Sequence, residues 1–318
     1  MVSPPLQVVC AVIEDPQGRL LLARRLAHQA QGGLWEFPGG KLEAGESQAE
    51  ALSRELDEEL GLQPLQATPW ITVRHVYPER EVQLHAWRVR AWAGEPVGRL
   101  GQPLDWVTPA ELVQREFPAA NRPIVNALIL PDACLITADA PDDERFLAAL
   151  EQAAQRVRMA VLRGEQALRL APQALPRLRA AGVLALVNAT PEQARALGAD
   201  GVHLNRHRLR ELQTRPEGLR WVGASCHDSE ELARAARLGL DYAFLSPVQP
   251  TASHPDATPL GWEGFAALIA DHALPVYALG GMQAGDVPQA RARGAQGVAA
   301  IRGLWLPGEG QGVLPDGA

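Results

Sequence analysis

Residues 39–62 read GGKLEAGESQAEALSRELDEELGL, and seven acidic side chains fall within the seventeen positions from Glu43 to Glu59. Ser47 is a plausible helix N-cap, Glu50 stands where it completes a capping box, and Gly61 is a natural helix stop. The sequence therefore predicts a helix over residues 47–60. Because like charges on one helix repel each other, this concentration of carboxylates needs a physical explanation.

The predicted helix has an apolar stripe and a neighbouring acidic face. The stripe consists of Ala49, Leu52, Leu56 and Leu60, and the acidic face consists of Glu55, Glu58 and Glu59. Mg²⁺ or Mn²⁺, which prefer oxygen ligands, would offset the repulsion and bridge the carboxylates to phosphate oxygens. A solvated acidic helix face is the alternative that the helix alone leaves open.

The spacing of the whole segment is more specific than its charge. The fixed positions are Gly40, Glu46, Arg54-Glu55-Leu56, Glu58-Glu59 and Gly61-Leu62. In this spacing the segment resembles the Nudix box. The resemblance implies an α/β/α sandwich with a mixed sheet, and hydrolysis of a nucleoside diphosphate linked to another group, with Mg²⁺, replaceable by Mn²⁺, as cofactor.

The same resemblance assigns roles to residues of the box. It implies a metal site formed by Gly39, Glu55, Glu58 and Glu59, with Glu55, Glu58 and Arg54 acting in catalysis. Arg54 would pair with the carboxylates and fix their rotamers. Gly39 and Gly40 would let the backbone approach the metal and the phosphates.

The flanking segments narrow the resemblance. They are LLLARR (20–25), WEFPGGK (35–41), YPERE (77–81), WAGEPVGRLGQPLDW (92–106) and FPAANRPIV (117–125). Together they resemble the bacterial MutT group, which removes oxidised guanine nucleotides. The resemblance implies that 8-oxo-dGTP is hydrolysed to 8-oxo-dGMP and diphosphate.

Five further positions match nucleotide-contacting positions of that group: Arg25, Phe37, Glu79, Arg80 and Asn121. Asn121 would read the oxidised purine edge, since an amide offers both a donor and an acceptor. Structural alternatives stay open: Phe37 as core, Arg80 as a solvated charge and Asn121 as a helix N-cap. Leu100 departs from the group, which has an acidic residue there that can approach the metals.

Strand-like runs surround the predicted helix at residues 7–12, 20–23, 70–75 and 82–90, and a second helix follows Asn121. Beyond Pro131, eight short apolar runs alternate with amphipathic segments: CLITA, RMAVL, VLALVN, GVHL, WVGAS, YAFLS, PVYALG and GVAAI. This rhythm predicts a C-terminal (β/α)8 barrel, with a doubly wound open sheet as the alternative. We expect domains at residues 1–130 and 133–318.

The second half carries GADGVHL, GASCHDSEEL, LPVYALGGM and GVAAIRGLW. In their order and spacing these motifs resemble thiamine phosphate synthase and its TenI-like relatives. The resemblance implies a phosphate site at Gly280, Gly281 and Arg302, for a thiazole or pyrimidine phosphate. His227 matches a histidine that transfers protons in TenI-like thiazole tautomerases.

The synthase resemblance fails at its metal and diphosphate positions. Ala189 and Arg208 stand where the family has aspartates that bind Mg²⁺, and Glu165 replaces a lysine. Because a diphosphate leaving group would have little stabilisation, we expect no thiamine phosphate synthase activity. Two roles remain open for the barrel, a tautomerase and a ligand-binding module; a third hypothesis makes a thiamine-pathway diphosphate the Nudix substrate.

Composition excludes several classes of function. A formal charge of -7 without a basic stripe argues against binding to polymeric nucleic acid. Three dispersed cysteines, no long apolar run and no signal-peptide pattern predict a cytoplasmic protein with no membrane partner.

Overall fold

The computed structural model divides into two units, Met1–Ile129 and Leu130–Ala318. It describes residues 4–251, 257–270 and 272–305. No helix among these residues is long and apolar enough to cross a bilayer. Cys10, Cys134 and Cys226 are all buried free thiols.

The described residues of the first unit, 4–129, form six strands and two α-helices. In chain order they are β1 (Leu6–Ile13), β2 (Leu20–Arg24), β3 (Trp35–Glu36), α1 (Gln48–Leu60), β4 (Gln63–Val76), β5 (Glu81–Ala93), β6 (Leu104–Val107) and α2 (Arg122–Ile129). Short 3-10 helices at Pro109–Gln114 and Ala119–Asn121 precede α2. Strands β3 and β6 had not been predicted.

The strands of this unit form two three-stranded sheets. One is mixed, since β1 pairs with β5 in parallel and β5 pairs with β4 antiparallel; the other is antiparallel, in the order β3-β2-β6. The prediction of a mixed sheet is confirmed, although the sequence pattern did not indicate its division into two sheets.

Helix α1 begins and ends as its sequence predicts. Ser47 is the N-cap and forms a capping box with Glu50, and Gly61 adopts a left-handed conformation with φ of 70°. The apolar stripe needs one correction. Ala51 is buried with Leu52, Leu56 and Leu60, whereas Ala49 is exposed, because the face that packs on β1 and β4 is centred nearer Leu52 than the predicted stripe. The buried face belongs to one hydrophobic cluster with Val9, Ala11 and Val89.

The second unit is a closed eight-stranded parallel barrel, which confirms the prediction and excludes the open sheet. Its strands are β7 (Ala133–Ile136), β8 (Met159–Leu162), β9 (Leu184–Val187), β10 (Gly201–Leu204), β11 (Trp221–Cys226), β12 (Tyr242–Leu245), β13 (Val276–Leu279) and β14 (Gly297–Ala300). The ring closes by pairing of β14 with β7.

Helices alternate with these strands. They are α3 (Asp143–Ala154), α4 (Glu165–Ala180), α5 (Pro191–Ala196), α6 (Arg206–Glu211), α7 (Ser229–Arg237), α8 (Gly261–Ile269), α9 (Val287–Ala292) and α10 (Arg302–Trp305), with a 3-10 turn at Ala284–Asp286. Aromatic side chains from β12 and β13 fill the barrel interior, where Tyr242, Phe244 and Tyr277 contact one another. Because side chains occupy the interior, a ligand of this barrel is expected to bind at the C-terminal ends of the strands.

Candidate active site and barrel cavity

The glycine pair before α1 is held against strand β1. The Val9 amide donates to the Gly40 carbonyl at 2.9 Å, and the Ala11 amide donates to the Pro38 carbonyl at 2.8 Å. Gly39 has φ of 144°, and a β-carbon there would lie 2.3 Å from the Val9 carbonyl oxygen. Only glycine permits this approach, so the loop lies directly on the strand.

Gly40 makes room for a carboxylate of the helix. A β-carbon at Gly40 would lie 2.3 Å from both Cδ and Oε1 of Glu55. The Glu55 carboxylate therefore occupies the space that a side chain would take, which places an acidic group beside the glycine backbone.

Arg54 joins the acidic residues to the loop. Its Nε and Nη2 donate to the two carboxylate oxygens of Glu46, each at 2.9 Å. Nη1 donates to Glu55 at 2.9 Å and to Glu58 at 3.3 Å, and Nη2 also donates to the Lys41 carbonyl at 3.0 Å. The Glu46 and Glu55 carboxylates raise the pKa of Arg54 further above its usual range. The guanidinium thus fixes carboxylates of both the loop and the helix.

Glu59 lies on the other side of this arrangement. It accepts a hydrogen bond from the Gly39 amide at 3.3 Å. Burial and the nearby Glu36 carboxylate raise the pKa of Glu59 to about 7. Burial also raises the pKa of Glu36, which pairs with Arg25. Sequence reasoning missed Glu36, although it lies in the quoted segment WEFPGGK, three residues before Gly39.

The three carboxylates of the predicted metal site do not meet at one point. Glu55 and Glu58 share Arg54, whereas Glu59 turns to Gly39, and the described residues contain no group of three or more His, Cys, Asp or Glu side chains that could hold a metal ion. The metal site stays a prediction, because in this structure a guanidinium and an amide bind these carboxylates separately. Crowded oxygen donors beside side-chain-free backbone fit Mg²⁺ or Mn²⁺.

The residues predicted to contact the nucleotide lie in different environments. Phe37 is 3% exposed and stacks on Phe117 with ring centroids 5.8 Å apart. Arg25 donates from Nε to the Ala30 carbonyl at 2.8 Å, in addition to its pairing with Glu36. Glu79 and Arg80 lie exposed in the turn between β4 and β5.

Asn121 ends the 3-10 helix that leads into α2, and it is 7% exposed. Among the residues that the structure describes, none forms a hydrogen bond with its side-chain amide. The neighbouring Ala120 amide donates to the Tyr77 hydroxyl at 3.2 Å. The buried side-chain atoms without a hydrogen-bond partner among the described residues are Arg215 Nε and Trp262 Nε1, so the Asn121 amide, which bonds to no described residue, reaches solvent.

The loop that carries Leu100 is attached to the end of α1. The Arg99 amide and the Gln102 side chain both donate to the Glu59 carbonyl, at 2.9 and 3.1 Å. The Leu100 amide donates to the Gln102 side chain at 2.9 Å, and the Leu100 side chain is 55% exposed. An apolar group therefore stands in a loop that contacts the backbone of Glu59.

In the second unit, a cavity of about 560 Å³ opens at the C-terminal ends of the barrel strands. It brings together four residues predicted from sequence, namely His227, Gly280, Gly281 and Arg302. Gly280 and Gly281 have φ of 97° and 71°, and β-carbons there would crowd Pro247 and the Pro250 carbonyl. These two positions require glycine. The cavity is within the size range of small-ligand sites.

Glu231 and Ser246 hold His227, and the Ser246 hydroxyl lies 3.3 Å from Nδ1. The His227 amide donates to Glu231 at 2.8 Å, and Nδ1 donates to the Ser246 carbonyl at 2.9 Å. Because a carbonyl can only accept, Nδ1 carries a proton and Nε2 is the ring nitrogen left for a ligand. Glu231, which is buried, also binds Arg206 and Arg210 at 2.9 Å. The sequence did not predict that Glu231 binds the backbone amide of His227.

A second histidine lies beneath the cavity. His203 is 2% exposed and stacks on Phe244 with ring centroids 4.2 Å apart. Its ring nitrogens contact the Tyr242 hydroxyl at 3.0 Å and the Ser225 hydroxyl at 2.9 Å. Burial, with a smaller effect of Arg163, lowers the pKa of His203 to about 3. His203 is therefore a neutral part of the barrel floor.

Comparison with known proteins follows the division of the chain. A family model described as NUDIX domain matches residues 9–127, and one described as thiamine monophosphate synthase matches residues 133–304. The 8-oxo-dGTP diphosphatase of Escherichia coli (strain K12) is 36% identical over 123 residues, which are 39% of this chain and 95% of the relative. The CTP pyrophosphohydrolase of the same organism is 40% identical over 124 residues, covering 39% and 91%.

The second unit has relatives of another kind. The thiamine-phosphate synthase of Chromobacterium violaceum is 38% identical over 181 residues, which are 54% of this chain and 86% of the relative. The chain therefore belongs to the Nudix family of hydrolases that act on diphosphate bonds through its first unit, and to the thiamine monophosphate synthase and TenI family through its second.

Proposed function

We propose that the first unit hydrolyses 8-oxo-dGTP to 8-oxo-dGMP and diphosphate. The observation that carries this choice of substrate is the side-chain amide of Asn121, which belongs to a 7% exposed residue, reaches solvent and bonds to no described residue. An oxidised purine presents an N–H donor at position 7 beside the O6 acceptor, and one amide can pair with both. Unmodified guanine presents two acceptors there and leaves the amide oxygen unpaired, which is costly in a buried site.

The residues of α1 and the preceding loop supply the remaining functions. Glu55, Glu58 and Glu59 provide oxygen ligands, and Arg54 holds Glu55 and Glu58 in orientation. Gly39 and Gly40 allow phosphate oxygens to approach the backbone closely. Bound Mg²⁺ would neutralise the diphosphate and lower the pKa of an attacking water.

A substrate panel tests this proposal. The full chain with Mg²⁺ should hydrolyse 8-oxo-dGTP with kcat/KM at least about 10²-fold above that for dGTP, since the rejected nucleotide leaves a buried polar group unpaired. CTP and a pyrimidine diphosphate complete the panel, because one relative is a CTP pyrophosphohydrolase. Comparable turnover of either would contradict the proposal, and the pyrimidine diphosphate would favour a thiamine-pathway substrate.

Asn121→Leu provides a matched variant. It keeps about the size of the side chain but removes both the donor and the acceptor of the amide. The preference for 8-oxo-dGTP should fall by at least about tenfold, as expected for one lost hydrogen bond in a buried site. Unchanged selectivity would remove Asn121 from base recognition.

A second activity is supported by the geometry of His227. With Nδ1 held by the Ser246 carbonyl, Nε2 is available to accept a proton from a ligand in the cavity. We propose thiazole phosphate isomerisation as the reaction of the barrel. His227→Ala should abolish exchange of the substrate proton with solvent deuterium, and exchange at the wild-type rate would reject this role.

A further inference from the structure

The 3-10 helix Ala119–Asn121 begins without a capping side chain of its own. Its N-cap is Pro118, whose side chain has no acceptor for the first amides of the helix. The Ala120 residue is 4% exposed, and its amide donates to the Tyr77 hydroxyl at 3.2 Å. Tyr77 lies 43 positions away in the sequence. It therefore supplies the oxygen that the side chain of an N-cap residue usually supplies.

The position of Tyr77 is fixed by a hairpin turn. The Tyr77 amide donates to the Arg80 carbonyl at 2.9 Å, and the Arg80 amide donates to the Tyr77 carbonyl at 3.3 Å. The His75 ring meets the Tyr77 ring in a T-shaped arrangement, with ring centroids 4.5 Å apart. The half-buried Tyr77 ring is therefore held on two sides while its hydroxyl reaches the Ala120 amide.

This hydroxyl links two groups of residues that are predicted to contact the nucleotide. Glu79 and Arg80 lie in the turn that Tyr77 begins, and Asn121 directly follows the Ala120 amide that Tyr77 binds. Strand β4, which ends one residue before Tyr77, contacts the same 3-10 helix. One hydrogen bond therefore joins the turn of Arg80 to the turn of Asn121.

The other attachment of this segment lies farther from Asn121. The Trp35 amide of β3 donates to the Glu116 carbonyl at 2.8 Å, five residues before Asn121. The bond from Ala120 to Tyr77 lies one residue before Asn121. Because the nearer bond limits the position of the Asn121 backbone more closely, the Tyr77 hydroxyl has the larger effect on where the Asn121 amide points.

We propose that the Tyr77 hydroxyl positions Asn121 and thereby sets the selectivity of the first unit among nucleobases. The inference rests on the proposed function, in which Asn121 reads the base. A side-chain amide distinguishes donors from acceptors only when its own direction is fixed, since hydrogen bonds weaken steeply as they bend. The carboxylates of α1 are held elsewhere, by Arg54 and the Gly39 amide. Tyr77 therefore acts on binding of the base and not on hydrolysis of the diphosphate.

Tyr77→Phe isolates the hydroxyl, because it keeps the ring that packs on His75. With the full chain and Mg²⁺, the preference for 8-oxo-dGTP over dGTP should fall about three- to tenfold, as one neutral hydrogen bond allows. The loss should lie in a higher KM for 8-oxo-dGTP, with kcat within about twofold of the wild-type value. Thr190→Val is the matched control. It removes the N-cap hydrogen bond of α5 in the second unit and should change neither constant.

A double-mutant cycle shows whether Tyr77 acts through Asn121. In the Asn121→Leu background, Tyr77→Phe should change the preference by less than about twofold, because the amide that it positions is gone. Equal losses in the two backgrounds would overturn the inference, and so would an unchanged preference of Tyr77→Phe alone. Thermal melting of each variant sets an assay temperature at which all of them are folded.

Failure of the proposed function has a different result. A wild-type chain that does not prefer 8-oxo-dGTP would contradict that function, and the same cycle is then measured on the nucleotide of the panel that is hydrolysed best. Tyr77→Phe should raise the KM for that nucleotide in the wild-type background and leave it unchanged in Asn121→Leu. An unchanged KM in both backgrounds would overturn the role of Tyr77.

Discussion

The Glu55 carboxylate lies over Gly40, so close that a β-carbon on the glycine would be 2.3 Å from Cδ of the glutamate. The loop and the helix therefore share one small space, which only a glycine leaves open. Because Glu55 also bonds to Arg54 at 2.9 Å, displacing it would disturb the other carboxylates held by this arginine.

Gly40→Ala should therefore lower kcat/KM for 8-oxo-dGTP by about 10²-fold, the cost expected when catalytic groups shift by about an ångström. Steady-state kinetics at saturating Mg²⁺ measures the effect. Gly285→Ala is the matched control, because a β-carbon at Gly285 meets nothing within 4 Å. Full activity of folded Gly40→Ala would show that the position of Glu55 does not limit hydrolysis.

Arg54→Lys should lower kcat by about 10- to 100-fold and raise the Mg²⁺ concentration for half-maximal rate, as found for residues that orient metal ligands. The physical reason is geometric: an ammonium group cannot reproduce the paired bonds from Nε and Nη2 to Glu46 while also holding Glu55. Arg99→Lys offers a control, because Arg99, in the loop between β5 and β6, bonds to Asp57 of the same helix at the exposed surface. Equal losses in the two variants would count against a specific role for Arg54.

Leu100→Glu tests the departure from the MutT group. A carboxylate in this loop, which is bonded to the Glu59 backbone, would add an oxygen ligand near the acidic face of α1. We expect tighter Mn²⁺ binding by calorimetry, by about tenfold, together with a lower Mg²⁺ requirement. Leu65→Glu, at a 70% exposed position of β4, controls for added charge. Identical Mn²⁺ affinities of the two variants would exclude Leu100 from the metal site.

His203 predicts a pH dependence of barrel stability. Its pKa is about 3 in the folded protein against an ordinary 6.5, so below pH 6.5 the unfolded chain binds a proton that the folded barrel does not. The free energy of unfolding should therefore fall as the pH is lowered from 6.5 toward 3, by up to about 1.4 kcal/mol per pH unit.

Calorimetry of the wild-type chain and His203→Gln measures this contribution, because the difference between their pH profiles removes the titration of all other groups. The variant should have the flatter profile below pH 6.5. Parallel profiles would mean that His203 becomes charged inside the barrel.

Much of this architecture could be predicted from local chemistry. The limits of α1 follow from Ser47, Glu50 and Gly61, which act through neighbouring backbone groups. The eight barrel strands follow from short apolar runs, since strands of a parallel sheet are covered on both faces. Strand β3 escaped prediction because two residues, Trp35 and Glu36, are too few to show a period.

Parts of the candidate sites depend on contacts between distant segments and could not be predicted. Glu36 affects Glu59 only because the loop folds back along β1. Glu231 meets Arg206 and Arg210 across more than twenty positions of sequence. Asn121 could be identified only through the MutT resemblance, and its lack of a partner became visible only with its surroundings.

The loop that carries Leu100 is attached to helix α1 through its backbone, so its side chains can change while the attachment stays. Val97 and Arg99 donate to the carbonyls of Leu60 and Glu59 through their own backbone amides, which any residue except proline would supply. Substitutions at Leu100 therefore leave this attachment intact. Evolution can vary one exposed side chain beside the acidic helix while the fold that presents it stays the same.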